Sequence, residues 1–223
     1  MNKKQGLYKI LIEGTNLVGK TTLVQGIQDL FKKKDYSVKT NKNALVKNNF
    51  MDSAIEMANK MLIYPSDSQL DSAELEKIGG LFILSALIDQ IYYEDDFDSK
   101  SDISFLIQDS YIQRSVAYHM AHNSKCMYNL YEQVLDKLIK FDINIYLETD
   151  LNSKKNRLKQ RDIIDRDDRE IIFQPQIIKN HDKWLEFLME KESNYLKINT
   201  SNKTPHEVIN MAVDYIIKKV EVI

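Results

Sequence analysis

Cysteine is nearly absent from this sequence. Cys126 is the single one in 223 residues, so no internal disulfide can brace the fold, which fits a reducing compartment. The four histidines are scattered and have no partner cysteines, so no metal-binding spacing is present. A long apolar run is also missing. Apolar residues make up 43% of the chain but fall into many short segments, none near the roughly eighteen that a membrane span requires. Neither the opening MNKKQGLYK nor the end resembles a secretory or anchoring signal, so a cytoplasmic protein with no membrane partner is expected. Nor is there a dominant charge. The formal net charge of -2 gives nucleic acid no global attraction, and none is expected as a partner, although basic residues gather around 154–161. Internal repeats and any sign of a second domain are lacking as well. What remains is an ordinary globular composition, long enough for one large core, and the expectation is a single domain over residues 1–223.

Within that chain, Gly6-Leu-Tyr-Lys-Ile-Leu-Ile-Glu13 reads as a short buried strand that meets a glycine-containing turn. Residues 21–34 follow with Leu23, Ile27, Leu30 and Phe31 at helical spacing. Residues 36–40 suit a second strand, and 50–63 a helix stopped by Pro65. Asp71-Ser-Ala-Glu74 has the form of a capping box opening an apolar helix through Ile88. The acidic run 94–98 reads as a solvated loop, with a cation site as the alternative. Ile103-Ser-Phe-Leu-Ile-Gln-Asp109 is the second strong strand, and 143–147 and 195–198 are further candidates. Helices are predicted from about 111, over 125–140, from Leu151, over 171–191, and after the cap Thr204-Pro-His-Glu207. Strands alternating with helical segments predict right-handed crossovers and a parallel sheet covered on both faces.

The most specific feature is Gly14-Thr-Asn-Leu-Val-Gly19-Lys20-Thr21, which has the full G-x-x-x-x-G-K-[ST] spacing between a predicted strand and a predicted helix. Gly14 and Gly19 permit a tight path, so that the amides of the loop, Asn16 and Val18 included, can surround phosphate oxygens at a helix N-terminus. Lys20 supplies a point charge for the beta and gamma phosphates, Thr21 a hydroxyl for magnesium, and Thr22 a further phosphate contact. ATP with magnesium is the expected cofactor pair.

Asp109 stands where the second strong strand ends, which is where ligands collect in open parallel sheets. Its carboxylate could hold magnesium, orient an acceptor, take its proton, or only cap a helix. Glu13 ends the first strand, with a structural bond to loop amides and a substrate contact as its two readings. Arg157, Arg161, Arg166 and Arg169 punctuate a polar stretch, and Arg157 and Arg161 share a helix face. Such guanidinium groups suit a lid over phosphates at about 151–170; a solvated ion-pair surface is the other reading.

The chain resembles the thymidylate kinase branch of the P-loop nucleoside and nucleotide kinases. The resemblance rests on Ile12-Glu-Gly-Thr-Asn-Leu-Val-Gly-Lys-Thr-Thr22, on Asp109-Ser-Tyr111-Ile-Gln-Arg-Ser115-Val-Ala117-Tyr118, and on the lid from Leu147 through Arg157, Arg161 and Asp165-Arg166. It implies a three-layer α/β/α fold with a five-stranded parallel sheet and often a homodimer. It implies phosphoryl transfer from magnesium ATP, with Lys20, Asp109, Arg161 and Arg166 catalytic and Thr21 and Asp109 at the metal. ATP contacts would come from the loop, Arg157 and the segment 199–202, Asn199 foremost; acceptor contacts would come from Glu13, Ser110 and Tyr111, and Arg114, outside the family match, could approach the acceptor from the next helical turn. The sequence departs from the family on the acceptor side. Ser110 stands where an arginine is usual, Lys39 or Lys42 substitutes only loosely for another, Ile88 takes the place of a third, and Asn16 replaces a common acid. Lysine cannot reproduce the bidentate fork of arginine. A nucleoside monophosphate remains the expected acceptor; a nucleoside or other small hydroxyl compound, or a noncatalytic ATP-binding role, are the alternatives.

Overall fold

The central strands are those segments whose apolar residues face both ways. In a computed structural model, which describes residues 6–46, 49–58, 72–93, 103–161 and 166–222, β1 (Gly6–Glu13) and β3 (Ile103–Asp109) lie at the centre of the sheet. Alternation along β1 sends Ile10 and Ile12 into one apolar layer and Leu11 into the other, each fully buried. The strand order is β2 (Ser37–Lys42), β3, β1, β4 (Ile143–Glu148), β5 (Tyr195–Asn199), and every pairing is parallel. The register sets Ile12 and Lys42 on either side of Asp109, so the carboxyl ends of β1, β2 and β3 finish together.

One layer is built by α1 (Lys20–Lys32) and α9 (Pro205–Val222), whose Leu23, Ile27, Phe31, Val208, Ala212 and Ile216 cover Ile10 and Ile12. The other takes Ile83 of α3 (Ser72–Tyr92), Val116 and Ala117 of α4 (Ile112–Ala121), Met127 of α5 (Lys125–Val134), and Leu185 and Leu188 from the 175–189 helix. A short helix, α2 (Asn49–Ala58), packs against α3. Among the described residues no helix is long and apolar enough to cross a membrane.

Three expectations change. The single helix predicted over 171–191 is two, α7 (Arg166–Phe173) and α8 (Pro175–Met189), because Pro175 has no amide hydrogen for a continuous helix and instead occupies its first turn. The polar lid stretch is therefore helical from Arg166 onward, after α6 (Leu151–Leu158). The helix predicted over 125–140 stops at Val134 in a 3-10 turn, Leu135–Lys137, after which Leu138 and Phe141 enter the core. The second strand extends to Lys42, since its pairing with β3 continues to Asp109. The predicted cap at residue 71, the helix end at 59–63, Pro65 and the acidic run 94–98 lie outside the described residues. At α9 the capping box closes in both directions: the Thr204 amide donates to Glu207 Oε2 at 2.7 Å and the Glu207 amide to Thr204 Oγ1 at 3.3 Å.

Candidate active site

β1 delivers the phosphate-binding loop at the point where the sheet order reverses, between β3 on one side and β4 on the other. Gly14 has φ 154°, and a Cβ there would come within 2.5 Å of the Leu147 carbonyl oxygen, so only glycine lets the loop pass β4. Gly19 at φ 100° makes the entry to α1. Within the loop, Lys20 Nζ donates to the carbonyls of Gly14 at 2.6 Å and Thr15 at 2.9 Å. Burial, with the Arg114 charge beside it, pushes the Lys20 ammonium down to about 7 against the pull of Glu13 and Asp109.

A cavity of about 260 Å³ opens over the loop, lined by Asn16, Leu17, Gly19, Lys20, Thr21, Thr22 and by Lys42, Asp109, Arg114, Arg157 and Arg161. Five of these are lysines or arginines and one is a carboxylate, an arrangement that attracts a polyanion. Thr21 Oγ1 donates to Asp109 Oδ2 at 3.3 Å, while the buried Asp109 Oδ1 has no hydrogen-bond partner. A hydroxyl and a partly unengaged carboxylate fit magnesium, which takes one or two protein oxygens and shares the rest with phosphates and water. No cluster of three metal-ligating side chains exists among the described residues, so a cage for a tightly held ion is not what this site resembles.

The lid residues grip the loop from above. Arg157 donates from Nη1 to the Leu17 carbonyl at 2.7 Å and from Nη2 to the Thr200 carbonyl at 2.9 Å. Arg161, still 40% exposed, pairs at 2.6 Å with Asp168, which is fully buried on α7. Asn16 Nδ2 reaches the other oxygen of Asp168 at 3.5 Å. The side chain of Arg166 lies outside the described residues.

Several candidates are placed elsewhere. Val18 turns its side chain into the core and contributes its backbone, the carbonyl accepting from Thr200 Oγ1 at 3.1 Å. Asn199 is exposed beside Glu148 and Ser201 and does not line the cavity. Glu13, Ser110 and Tyr111 are all buried behind the strand ends rather than on the cavity wall. Glu13 accepts from the Tyr111 amide at 2.6 Å and the Gly14 amide at 3.2 Å, and burial raises its carboxyl to about 7 even though those bonds and the charges of Lys20 and Arg114 oppose the rise. Ser110 sits at φ 63°, its amide bonded to the Ile12 carbonyl at 3.0 Å. The Tyr111 ring packs on Phe141 with centroids 5.8 Å apart.

Sequence reasoning missed Asp168, and from the segment 199–202 it picked Asn199 where the structure uses Thr200. Thr200 is one residue beyond the predicted contact Asn199, and Asp168 was hidden among alternating charges whose pairing no local pattern specifies. Lys42, expected only as a loose substitute for an arginine, and Arg114, expected to approach the acceptor, do line the cavity.

No protein-family model and no curated protein matches this chain. The fold, however, has known counterparts. A deoxyadenosine kinase from M. mycoides, solved with the products dCMP and a flexible dCDP, superposes with a TM-score of 0.59 at 17% identity, over 94% of this chain and 98% of that one. The same enzyme solved with dATP gives a TM-score of 0.61 at 17% identity, over 93% and 98%. The chain therefore has the three-layer α/β/α fold of P-loop kinases with a five-stranded parallel sheet. That likeness does not single out the thymidylate branch.

Proposed function

We propose that this protein is an ATP-dependent kinase whose acceptor is a nucleoside, phosphorylated at a hydroxyl. The observation that carries the reading is the cavity over the P-loop, with five cationic side chains and the single carboxylate of Asp109. The neighbouring fold is that of an enzyme named deoxyadenosine kinase, and this favours an unphosphorylated acceptor over the monophosphate that the sequence first suggests. Ser110 adds to that preference. At that position the arginine that would hold an acceptor phosphate is missing, and Ser110 carries no charge to replace it.

In this mechanism the loop amides and Lys20 hold the beta and gamma phosphates, Lys20 exchanging its bonds to the Gly14 and Thr15 carbonyls for phosphate oxygens. Thr21 and Asp109 would hold magnesium, whose bound charge neutralises the phosphates. The acceptor oxygen forms a bond to the gamma phosphorus as the bond from that phosphorus to its bridging oxygen breaks, leaving ADP. Asp109 takes the hydroxyl proton through the oxygen that has no partner. Arg161, with Arg166, meets the charge that spreads over the transferred group, and closure of the lid at 151–170 within this single domain excludes water. Arg157 stays over the loop on the nucleotide side.

One observation favours a second reading. Lys42 and Arg114 both line the cavity and could receive a phosphate already on the acceptor, which would make a nucleoside monophosphate the substrate. The test of both is mass-spectrometric detection of products from magnesium ATP with a panel of deoxynucleosides and their monophosphates, with Lys20→Ala as control. Monophosphate products formed from the nucleosides support the first reading. Diphosphates formed only from monophosphates would replace it by the second, and no acceptor-dependent product despite ATP binding would overturn both.

A further inference from the structure

Against the P-loop, and not among the side chains that line the cavity, Lys154 of α6 is only 1% exposed. Its ammonium donates to Asp182 Oδ1 at 2.8 Å and Oδ2 at 2.7 Å, and to Thr15 Oγ1 at 2.7 Å. Thr15 Oγ1 in turn donates to Asp182 Oδ1 at 2.6 Å, closing a ring of three side chains from the loop, α6 and α8. The ring is itself braced, because the Tyr146 hydroxyl donates to the Asp182 carbonyl at 3.1 Å and so ties this point of α8 to β4.

A buried ion pair is a poor means of gaining stability, since the cost of taking two charges out of water can exceed what their attraction returns. Its placement gives the better account. Thr15 is the residue whose carbonyl, with that of Gly14, receives the Lys20 ammonium. Holding the Thr15 hydroxyl restrains the two peptide planes that flank Thr15, and with them the resting place of the Lys20 ammonium. Three residues along α6 from Lys154, Arg157 holds the Leu17 carbonyl, so one helix grips the loop at two points and also leads to Arg161.

We infer that Lys154 and Asp182 are positioning residues which act through the Thr15 hydroxyl to hold the P-loop in its triphosphate-binding shape. This rests on the reading of the loop as a triphosphate site, and direct binding separates the two. The decisive variant is Thr15→Val, which keeps the shape of residue 15 and leaves the Lys154 and Asp182 charges paired but cuts their link to the loop. ATP binding by calorimetry should weaken roughly tenfold or more, with KM for ATP rising more than kcat falls and the melting temperature within about 3 °C of wild type. Thr15→Ser restores the hydroxyl and should bind as wild type does. The double variant Lys154→Met with Asp182→Leu removes both charges at similar volume, and should show the same loss as Thr15→Val without a further loss when the two are combined. Wild-type affinity in Thr15→Val would overturn the inference. A wild-type chain that binds no ATP would overturn the reading beneath it, and the inference with it.

Discussion

The two ends of the site are built from opposite materials. The nucleotide end is an open cavity with Lys20, Lys42, Arg114, Arg157 and Arg161 on its wall, and its loop is held by hydrogen bonds from several directions. The residues expected at the acceptor end, Glu13, Ser110 and Tyr111, are instead buried behind the strand ends and off the cavity wall, with the Ser110 and Tyr111 hydroxyls lacking partners. A polyanion is recognised by charge and backbone amides, which a compact loop can supply almost by itself. A neutral acceptor is recognised by shape and a few polar contacts, which must be assembled from several elements. The contrast explains why the donor side admits a definite reading while the acceptor side has to be decided by experiment.

The largest effect should come from breaking the nucleotide end. Lys20→Ala removes the charge that the proposed mechanism sets against the transferred phosphate, and the expected loss in kcat is roughly a hundredfold to a thousandfold, measured as acceptor-dependent product formation. If the variant kept its activity, the cavity would not be the donor site. Asp109→Asn comes next, because it keeps the shape of the junction between the two ends but removes the charge that faces Thr21 and is proposed to take the acceptor's proton. A fall in kcat of about a hundredfold is expected, with ATP affinity changed much less. Equal losses in both would place Asp109 wholly on the nucleotide side.

Much of this architecture can be read in local pattern. β1 and β3 are legible because both faces of a central parallel strand are apolar, and the P-loop because eight consecutive residues carry its geometry. Legibility fails where a contact joins distant parts of the chain. Asp168 meets Asn16 across 152 positions, and Lys154 meets Thr15 across 139, and nothing near either residue marks the partner. Thr200 is similar: its hydroxyl reaches Val18 across 182 positions, whereas the neighbouring Asn199, the better match by local resemblance, stays at the surface. Pro175 is a different failure, since its effect is local and the helix break was there to be read.

A pH experiment sharpens the comparison with a smaller effect. The Lys20 ammonium, lowered from 10.5 to about 7, has lost its proton above neutral pH in the free protein, while the unfolded chain keeps one up to 10.5. The unfolded state then binds more protons between those values, so this group makes stability rise with pH from about 7 to 10.5. Glu13, raised from 4.5 to about 7, has the reverse sign: the folded state holds the extra proton, and stability falls as pH rises from 4.5 to 7. The pair therefore contributes a minimum near pH 7. A bound triphosphate favours the charged lysine, so binding should take up a proton above pH 7, and affinity should fall by up to about tenfold per pH unit. Calorimetry in two buffers of different ionisation enthalpy measures that uptake, and the absence of any uptake at pH 8 would mean that Lys20 is already charged in the open cavity.

The smallest expected effect lies away from both ends. Thr204 closes the capping box of α9, a helix that covers the face of the sheet built on Ile10 and Ile12. Thr204→Ala should lower the melting temperature by about 2–4 °C through loss of the cap alone, with KM unchanged for ATP and acceptor. The route by which it could do more is short, since Thr200 precedes the cap by four residues and its hydroxyl holds the P-loop at Val18. A rise in KM for ATP without a change for the acceptor would show that loosening the start of α9 reaches the loop through Thr200. The nucleotide end would then extend to the last helix of the chain, while the acceptor end would still rest on the strand termini.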